Sequence, residues 1–320
     1  MSTDGQPIPG STHGPTEGSA DGVSVSVVVP AFRRPERLRT CLAALAAQDL
    51  PADRLEVVVV DDGSPEPLAP TAREVEDRLR VRVLRQQNAG PAAARNAGAA
   101  TATGDLLAFT DDDCEPAPSW ASELAAAHAR EPGALLGGDV VNALPDDLFA
   151  EASQELVSFL YDWYGEERAG GFFASNNLAL PRTAYEELGG FDTTFPRPGG
   201  EDRELCERWT RSGRPLRRVP TALVHHSHRM GLRGYVRQHV NYGRGAWDLR
   251  ARRVAQTGAG MEVEPPRFYA SLVGYPFGRS RPQRAVPLSA ALCLSQVANV
   301  AGFVLQRQEE RRRATPSPAG

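Results

Sequence analysis

Val25-Ser26-Val27-Val28-Val29-Pro30-Ala31-Phe32 and Val57-Val58-Val59-Val60-Asp61-Asp62-Gly63-Ser64 are the stretches that decide the fold of this 320-residue chain. Each is a β-branched run that stops at turn-forming or charged residues. Strands that are apolar on both faces belong in a parallel sheet covered by helices on both sides, and residues 35–47 between the runs suit a helix. The alternation continues outward, with helices expected over 71–79 and 91–102 and strands over 81–84 and 106–109. Beyond these, the pattern gives a helix over 119–129, a strand over 136–141, an amphipathic helix over 148–161, an apolar segment over 172–180 and a helix over 201–211. The expectation is an α/β protein with a doubly wound, mostly parallel sheet flanked by helices and a helical C-terminal extension.

Composition narrows the chemistry. The 36 basic residues against 40 acidic ones leave a net charge of −4, so there is no global basic field to grip nucleic acid. All the basic residues are Arg, and the lack of Lys excludes Schiff-base, pyridoxal and P-loop lysine mechanisms. Neither a G-x-G-x-x-G fingerprint after the first strand nor a G-x-x-x-x-G-K-S loop is present, which argues against hydride transfer and P-loop chemistry. The cysteines, Cys41, Cys114, Cys206 and Cys293, are too dispersed for a zinc knuckle and read as a reduced, intracellular set.

Residues 1–22, rich in Gly, Ser, Pro and Thr, read as a disordered tail rather than a signal peptide, which implies a cytoplasmic protein. A catalytic unit over 23–230, a basic helical extension over 231–305 and a second tail over 306–320 follow. Residues 251–284 look like a loop-rich linker. The apolar stretch 286–305 is interrupted by Pro287, Gln296 and Asn299 and followed by arginines, so a packed or membrane-surface helix is preferred to a spanning one. Between Arg197 and Arg253 fourteen arginines face five acids, making a basic, partly aromatic segment suited to a diphosphate, a lipid-linked phosphate or an anionic surface.

In an open α/β sheet, ligands bind beyond the carboxyl ends of the strands. Pro30 to Arg34, Asp61-Asp62-Gly63-Ser64 and Asp111-Asp112-Asp113 all fall there. Adjacent aspartates repel unless a cation or a set of donors neutralises them, and Asp111 and Asp113 are spaced to share one hard ion such as Mg²⁺ or Mn²⁺. Gly90 and Pro91 open a helix that carries Arg95 about one turn in, within reach of a phosphate or of Asp111. Thr221 to His228 places three histidines after a short apolar run, a plausible source of a metal ligand.

The order of these motifs, with Gly189-Gly190-Phe191-Asp192 and Gly200-Glu201-Asp202 added, resembles glycosyltransferase family 2 and its GT-A fold over about residues 23–230. The resemblance implies an inverting transferase that uses a nucleotide-diphosphate sugar and a divalent metal, Mn²⁺ or Mg²⁺. Pro30 and Phe32 are similar to the turn lining the base, where the family often has Tyr and Asn in place of Phe32 and Arg33. Asp61 is similar to the carboxylate that accepts from the base edge, which favours UDP or dTDP. Arg95 matches a donor-pocket arginine beside Gly90. Asp111 and Asp113 match the metal-binding D-x-D pair, with Asp112 counted on the donor side. Asp202 resembles the catalytic base. One histidine commonly completes the metal site, with His225 and His226 equal candidates and His228 less favoured.

Trp163, Asn176, Asn177 and Glu201 are candidates for the acceptor side, since aromatic faces and amides suit sugar rings. The acceptor implied is a glycan, a lipid-linked or a small molecule, as in cell-envelope, polysaccharide or natural-product synthesis, with peripheral membrane contact through the extension. The rival readings are a sugar nucleotidyltransferase, disfavoured because the first loop has no glycine, and a sugar-nucleotide-binding scaffold with a decayed site.

Overall fold

The computed structural model describes residues 22–165, 171–195, 199–258 and 263–314. One eight-stranded sheet runs through the N-terminal two thirds, in the order β3-β2-β1-β4-β7-β6-β8-β5. Strands β1 (Val25–Ala31), β2 (Leu55–Asp61), β3 (Arg80–Arg85) and β4 (Leu106–Phe109) pair in parallel. Helices α1 (Pro35–Leu45), α2 (Ala69–Arg73) and α3 (Pro91–Ala99) connect them. Valines alternate between two cores, as period-two geometry requires. Val27 and Val29 pack toward Leu38 and Leu42 of α1 and Trp120 and Leu124 of α4 (Trp120–Arg130), while Val28, Val58 and Val60 join Ala94 of α3 and Phe109 on the other face.

Gly98 explains how closely α3 seats. A Cβ there would lie 2.4 Å from Val28 Cγ1, so only glycine lets this helix settle onto β1.

The other half of the sheet is mixed, while the sheet as a whole keeps more parallel than antiparallel pairings. β7 (Leu178–Pro181) runs antiparallel to both β4 and β6 (Leu135–Asn142), and short β5 (Cys114–Pro116) runs antiparallel to β8 (Leu216–His226). β6 and β8 pair in parallel with a register shift after Gly138. A Cβ on Gly138 would meet Ala222 O at 2.0 Å and Asn177 Nδ2 at 2.4 Å. That backbone has no room to yield, so Gly138→Ala is expected to cost about 3 kcal/mol. The change is read as a lower urea midpoint at unchanged m; an unshifted midpoint would contradict this packing.

Helices α5 (Leu148–Tyr164), α6 (Arg182–Leu188) and α7 (Glu201–Arg211) cover the sheet, and α8 (Leu232–Thr257), α9 (Pro266–Gly274), a 3-10 turn (Tyr275–Gly278) and α10 (Pro282–Ala314) complete the chain. Three expectations need correction here. Residues 251–284 are largely helical, because α8 runs on to Thr257 and Phe268 and Leu272 of α9 bury against Leu156 and Phe159 of α5. The last helix does not stop at 305. Gln306 donates to Asp248, Trp247 donates to Glu310 and Arg244 pairs with Glu309, so bonds to α8 carry it to Ala314. The helix expected at 71–79 shrinks to α2. Of the tails expected over 1–22 and 306–320, residues 1–21 and 315–320 lie outside the described residues.

The basic stretch is also less available than its composition implied. Arg208, Arg214, Arg217, Arg218, Arg244, Arg252 and Arg253 form ion pairs with Glu204, Glu187, Glu131, Asp139, Glu309, Asp192 and Glu207. Most of these acids come from other elements. Local sequence counting misses partners that only the fold supplies.

Candidate active site

A cavity of about 900 Å³ opens beyond the carboxyl ends of β1, β2 and β4, within the range expected for a ligand pocket. Pro30 and Phe32 line it as β1 runs into α1. The turn between them and α1 has Arg33 at φ 61°, its N–H held by Ser64 Oγ at 2.9 Å.

Asp61 does not line the cavity. Its carboxylate accepts from Ser64 N at 2.9 Å and Leu68 N at 3.2 Å, and Arg85 Nη1 lies 3.5 Å away, so it caps the turn after β2. The next residue, Asp62, is the one at the cavity wall. It accepts from Gln86 Nε2, Ala89 N and Gly90 N at 2.7, 2.9 and 2.9 Å and so shapes the approach to α3. Gly90, at φ 88°, caps α3 where a side chain would be strained.

Arg95 is buried. Its Nη2 donates to Asp111 Oδ1 at 2.7 Å, and Nη1 lies 3.8 Å from Glu201 Oε1. It therefore links the strand-end carboxylates to the start of α7.

Among the carboxylates that line the cavity, Asp113 gathers the most charged partners. Arg34 Nη1 and Arg37 Nη1 donate to its Oδ2 at 2.9 and 2.7 Å, His226 Nε2 lies 3.3 Å from Oδ1, and His228 Nδ1 3.3 Å from Oδ2. Burial works to raise this carboxyl, but hydrogen bonds from the two histidines and the Arg34 charge outweigh it and hold it well below the usual range. Asp112 behaves oppositely. Desolvation pushes it up to about 7 against the pull of Arg34, with repulsion from Asp113 and Asp111 adding to the rise.

Strand alternation separates the histidines by the side they face. β8 pairs with β5 so that His226 stands opposite Cys114, and His226 and His228 line the cavity while His225 is exposed on the other side. His228, the less favoured of the three, thus sits at the site and His225 does not. Asp113, Cys114 and His226 offer ligand atoms within 4.8 Å of one another. Burial and the nearby aspartates push the Cys114 thiol well above its ordinary value, so it stays protonated.

The donor set suits a hard divalent ion. Asp62, Asp111, Asp112, Asp113, Glu201 and Asp202 line the cavity against Arg34 and Arg95, and Asp112 Oδ2 is buried without a hydrogen-bond partner. Carboxylates in such excess repel one another, and a cation would neutralise them.

Beside Arg95, Gly200 in a left-handed conformation opens α7 and places Glu201 and Asp202 in its first turn. Glu201 is buried and accepts from Gly199 N at 2.7 Å. Asp202 is half-buried and accepts from the Arg203 N–H at 2.8 Å. Both carboxyls are raised, first by desolvation; the adjacent Asp202 charge adds to the rise of Glu201, and the Arg203 bond opposes that of Asp202.

On the acceptor side, Asn176 lines the cavity but Trp163 and Asn177 do not. Trp163 stacks on Phe159, 5.9 Å between ring centroids, and meets Phe268 edge-on in the α5–α9 cluster. Asn177 is fully buried, donates to Asp139 O and Ala222 O, and accepts from Trp120 Nε1, tying β6, β8 and α4 together. Sequence reasoning missed Ser153 and Gln154 of α5 as cavity residues, and read Gln238 and Tyr242 of α8 only as part of a basic segment. Gln238 Nε2 donates to Tyr242 Oη at 2.6 Å, the i, i+4 spacing that could have marked them as one helix face.

Fold and site together define a GT-A-like α/β protein with an acidic pocket. The family model described as glycosyl transferase family 2 matches residues 26–189, just over half of the chain, and a model described as the N-terminal domain of galactosyltransferase matches 154–231. The chain belongs to glycosyltransferase family 2. It is 33% identical over 240 residues to validoxylamine A glucosyltransferase of Streptomyces hygroscopicus subsp. limoneus, covering 66% of this chain and 51% of that one. It is 32% identical over 241 residues to the pre-mycofactocin glycosyltransferase of Mycobacterium tuberculosis, covering 73% and 49%. The chain spans about half the length of these curated relatives. Among solved structures, a mannosyltransferase from Pyrobaculum calidifontis in complex with GDP-Man and Mn²⁺ superposes with a TM-score of 0.56 at 22% identity, covering 92% of this chain and 81% of that one, a likeness of fold.

Proposed function

We propose that this chain transfers a glycosyl group from a nucleotide-diphosphate sugar to an acceptor hydroxyl, with inversion at C1. The observation that carries the reading is that Asp111 and Asp113 at the strand end and the Glu201–Asp202 turn of α7 line a single cavity, with Arg95 between them. The curated relatives are named as glycosyltransferases and glucosyltransferases, which supports the activity class.

Asp111, Asp113 and His226, with His228 beside them, would hold Mn²⁺ or Mg²⁺. Such an ion supplies Lewis-acid stabilisation of the departing diphosphate. Arg95 aligns Asp111 and orders the donor side through its buried charge. Phe32 and Pro30 supply an apolar wall for a base; UDP or dTDP is favoured by the family resemblance alone, because Asp61 caps its own turn outside the cavity. Asp202 takes the acceptor proton, since Glu201 is already engaged by Gly199 N–H and Arg95. Ser153, Gln154, Asn176, Gln238 and Tyr242 face the acceptor, a hydroxyl-bearing glycan, lipid-linked or small molecule.

The test is a thermal-shift panel of UDP-, dTDP- and GDP-sugars with and without Mn²⁺, followed by nucleotide release. A raised Tm and nucleotide release with a UDP- or dTDP-sugar, only when Mn²⁺ is present, is the expected result. No response to any donor would sink the reading.

A further inference from the structure

α10 has two unlike faces. One buries Leu288, Leu292, Ser295 and Gln306 against its neighbours. On the other, Val286, Ala290, Cys293, Val297, Val300 and Val304 are exposed, Val297 and Val300 at 67% and 64%. Their alternating spacing of three and four residues draws one straight apolar stripe, about 27 Å long at 1.5 Å per residue. Bare apolar stripes of that length mark contact surfaces.

The helix is also long and apolar enough to cross a membrane by composition. Its buried face argues against leaving the fold to do so. Gly243 and Gly302 bring α8 and α10 into backbone contact, where an added Cβ would lie 1.9 Å from Asn299 O and 2.0 Å from Val240 O, and Gln306 is bonded to Asp248. Detaching α10 would give up this close helix packing and the Gln306–Asp248 hydrogen bond.

Charge identifies what the exposed stripe meets. No Asp or Glu lies on that face; Glu309 and Glu310 turn to Arg244 and Trp247 of α8. Arg281 precedes the stripe, and Arg307, Arg312 and Arg313 follow it, all exposed. In a parallel pair of copies these arginines would stand side by side, and in an antiparallel pair they would cover the Val286 end, so self-association fits poorly. We propose that this face of α10 docks on an anionic lipid surface, the helix lying in the plane of the interface with its valines among the acyl chains and its arginines at the headgroup phosphates. This proposal does not depend on the sugar-transfer reading.

Cys293, at the centre of the stripe, is the one exposed cysteine among the described residues and takes a polarity-sensitive fluorophore. Full-length protein is mixed with vesicles of phosphatidylcholine alone or with added phosphatidylglycerol. A blue shift and co-sedimentation only with the anionic vesicles, weakened by salt, is expected. Val297→Asp with Val300→Asp should abolish binding, and Arg307→Ala with Arg312→Ala and Arg313→Ala should weaken it on the order of a hundredfold, both with unchanged circular dichroism. Failure to bind anionic vesicles, or equal binding of wild type and the double Asp variant, would overturn the proposal. So would a lipid-free dimer trapped through a Cys293 disulfide together with absent vesicle binding, since a second copy would then cover the stripe.

Discussion

Asp202→Asn is expected to lower kcat about a thousandfold, the middle of the range for losing a general base, while leaving donor KM within about twofold. The amide keeps the side chain's volume and its acceptor for the Arg203 N–H, so the helix start survives. What it loses is a lone pair basic enough to take the acceptor proton. The pH dependence gives a second, independent signature. Desolvation raises the Asp202 carboxyl, and the base must be ionised to act. As pH falls through that raised value the group protonates and the rate falls about tenfold per pH unit, so the acid limb lies above the ordinary aspartate range. The Asn variant should lack that limb. An unchanged kcat in Asp202→Asn, with a collapse in Glu201→Gln, would assign the proton transfer to the neighbouring carboxylate instead.

The second large effect is expected at Asp113. Asp113→Ala should reduce kcat/KM on the order of a thousandfold and raise the Mn²⁺ concentration needed for half-activity. The physical reason is the concentration of partners on this one carboxylate, with Arg34, Arg37, His226 and His228 all converging on it. His226→Ala separates metal binding from general disruption, because it touches the same carboxylate without removing the anion that gathers the arginines. It should shift the Mn²⁺ dependence in the same direction with a smaller loss. His225→Ala, on the exposed side of β8, should shift nothing. Full turnover of the wild type in a chelator would remove the metal role altogether.

Particular residues show how far the sequence could be read. The valine runs at β1 and β2 are legible because burial on both faces demands unbroken apolar side chains, a purely local signal. The clusters at Asp61-Asp62 and Asp111 to Asp113 are legible for a related reason: charge at a strand's carboxyl end has few structural uses. Which member of each cluster faces the ligand is another matter. Asp61 and Asp62 differ by one residue, and the turn hydrogen bonds to Ser64 and Leu68 claim the first and leave the second at the cavity. By sequence His225 and His226 are likewise equal, with His228 ranked below them, whereas the pairing of β5 with β8 fixes which side of the strand faces Asp113 and turns His226 there with His228.

The sequence by itself determined the α/β alternation, the acidic strand ends, the α7 carboxylates and the family. Those are properties of period, composition and motif order, which survive without knowing what lies across space. Only the tertiary structure decided that the sheet's far half is mixed, that Trp163 and Asn177 are packing residues, that six arginines of the Arg-rich stretch pair with acids from other elements, and that α8 supplies a cavity wall while α10 keeps one apolar face bare. Each of those depends on contacts between residues far apart in the chain. Pairing direction, ion-pair partners and exposure are set by what folds against what, and no local pattern encodes them.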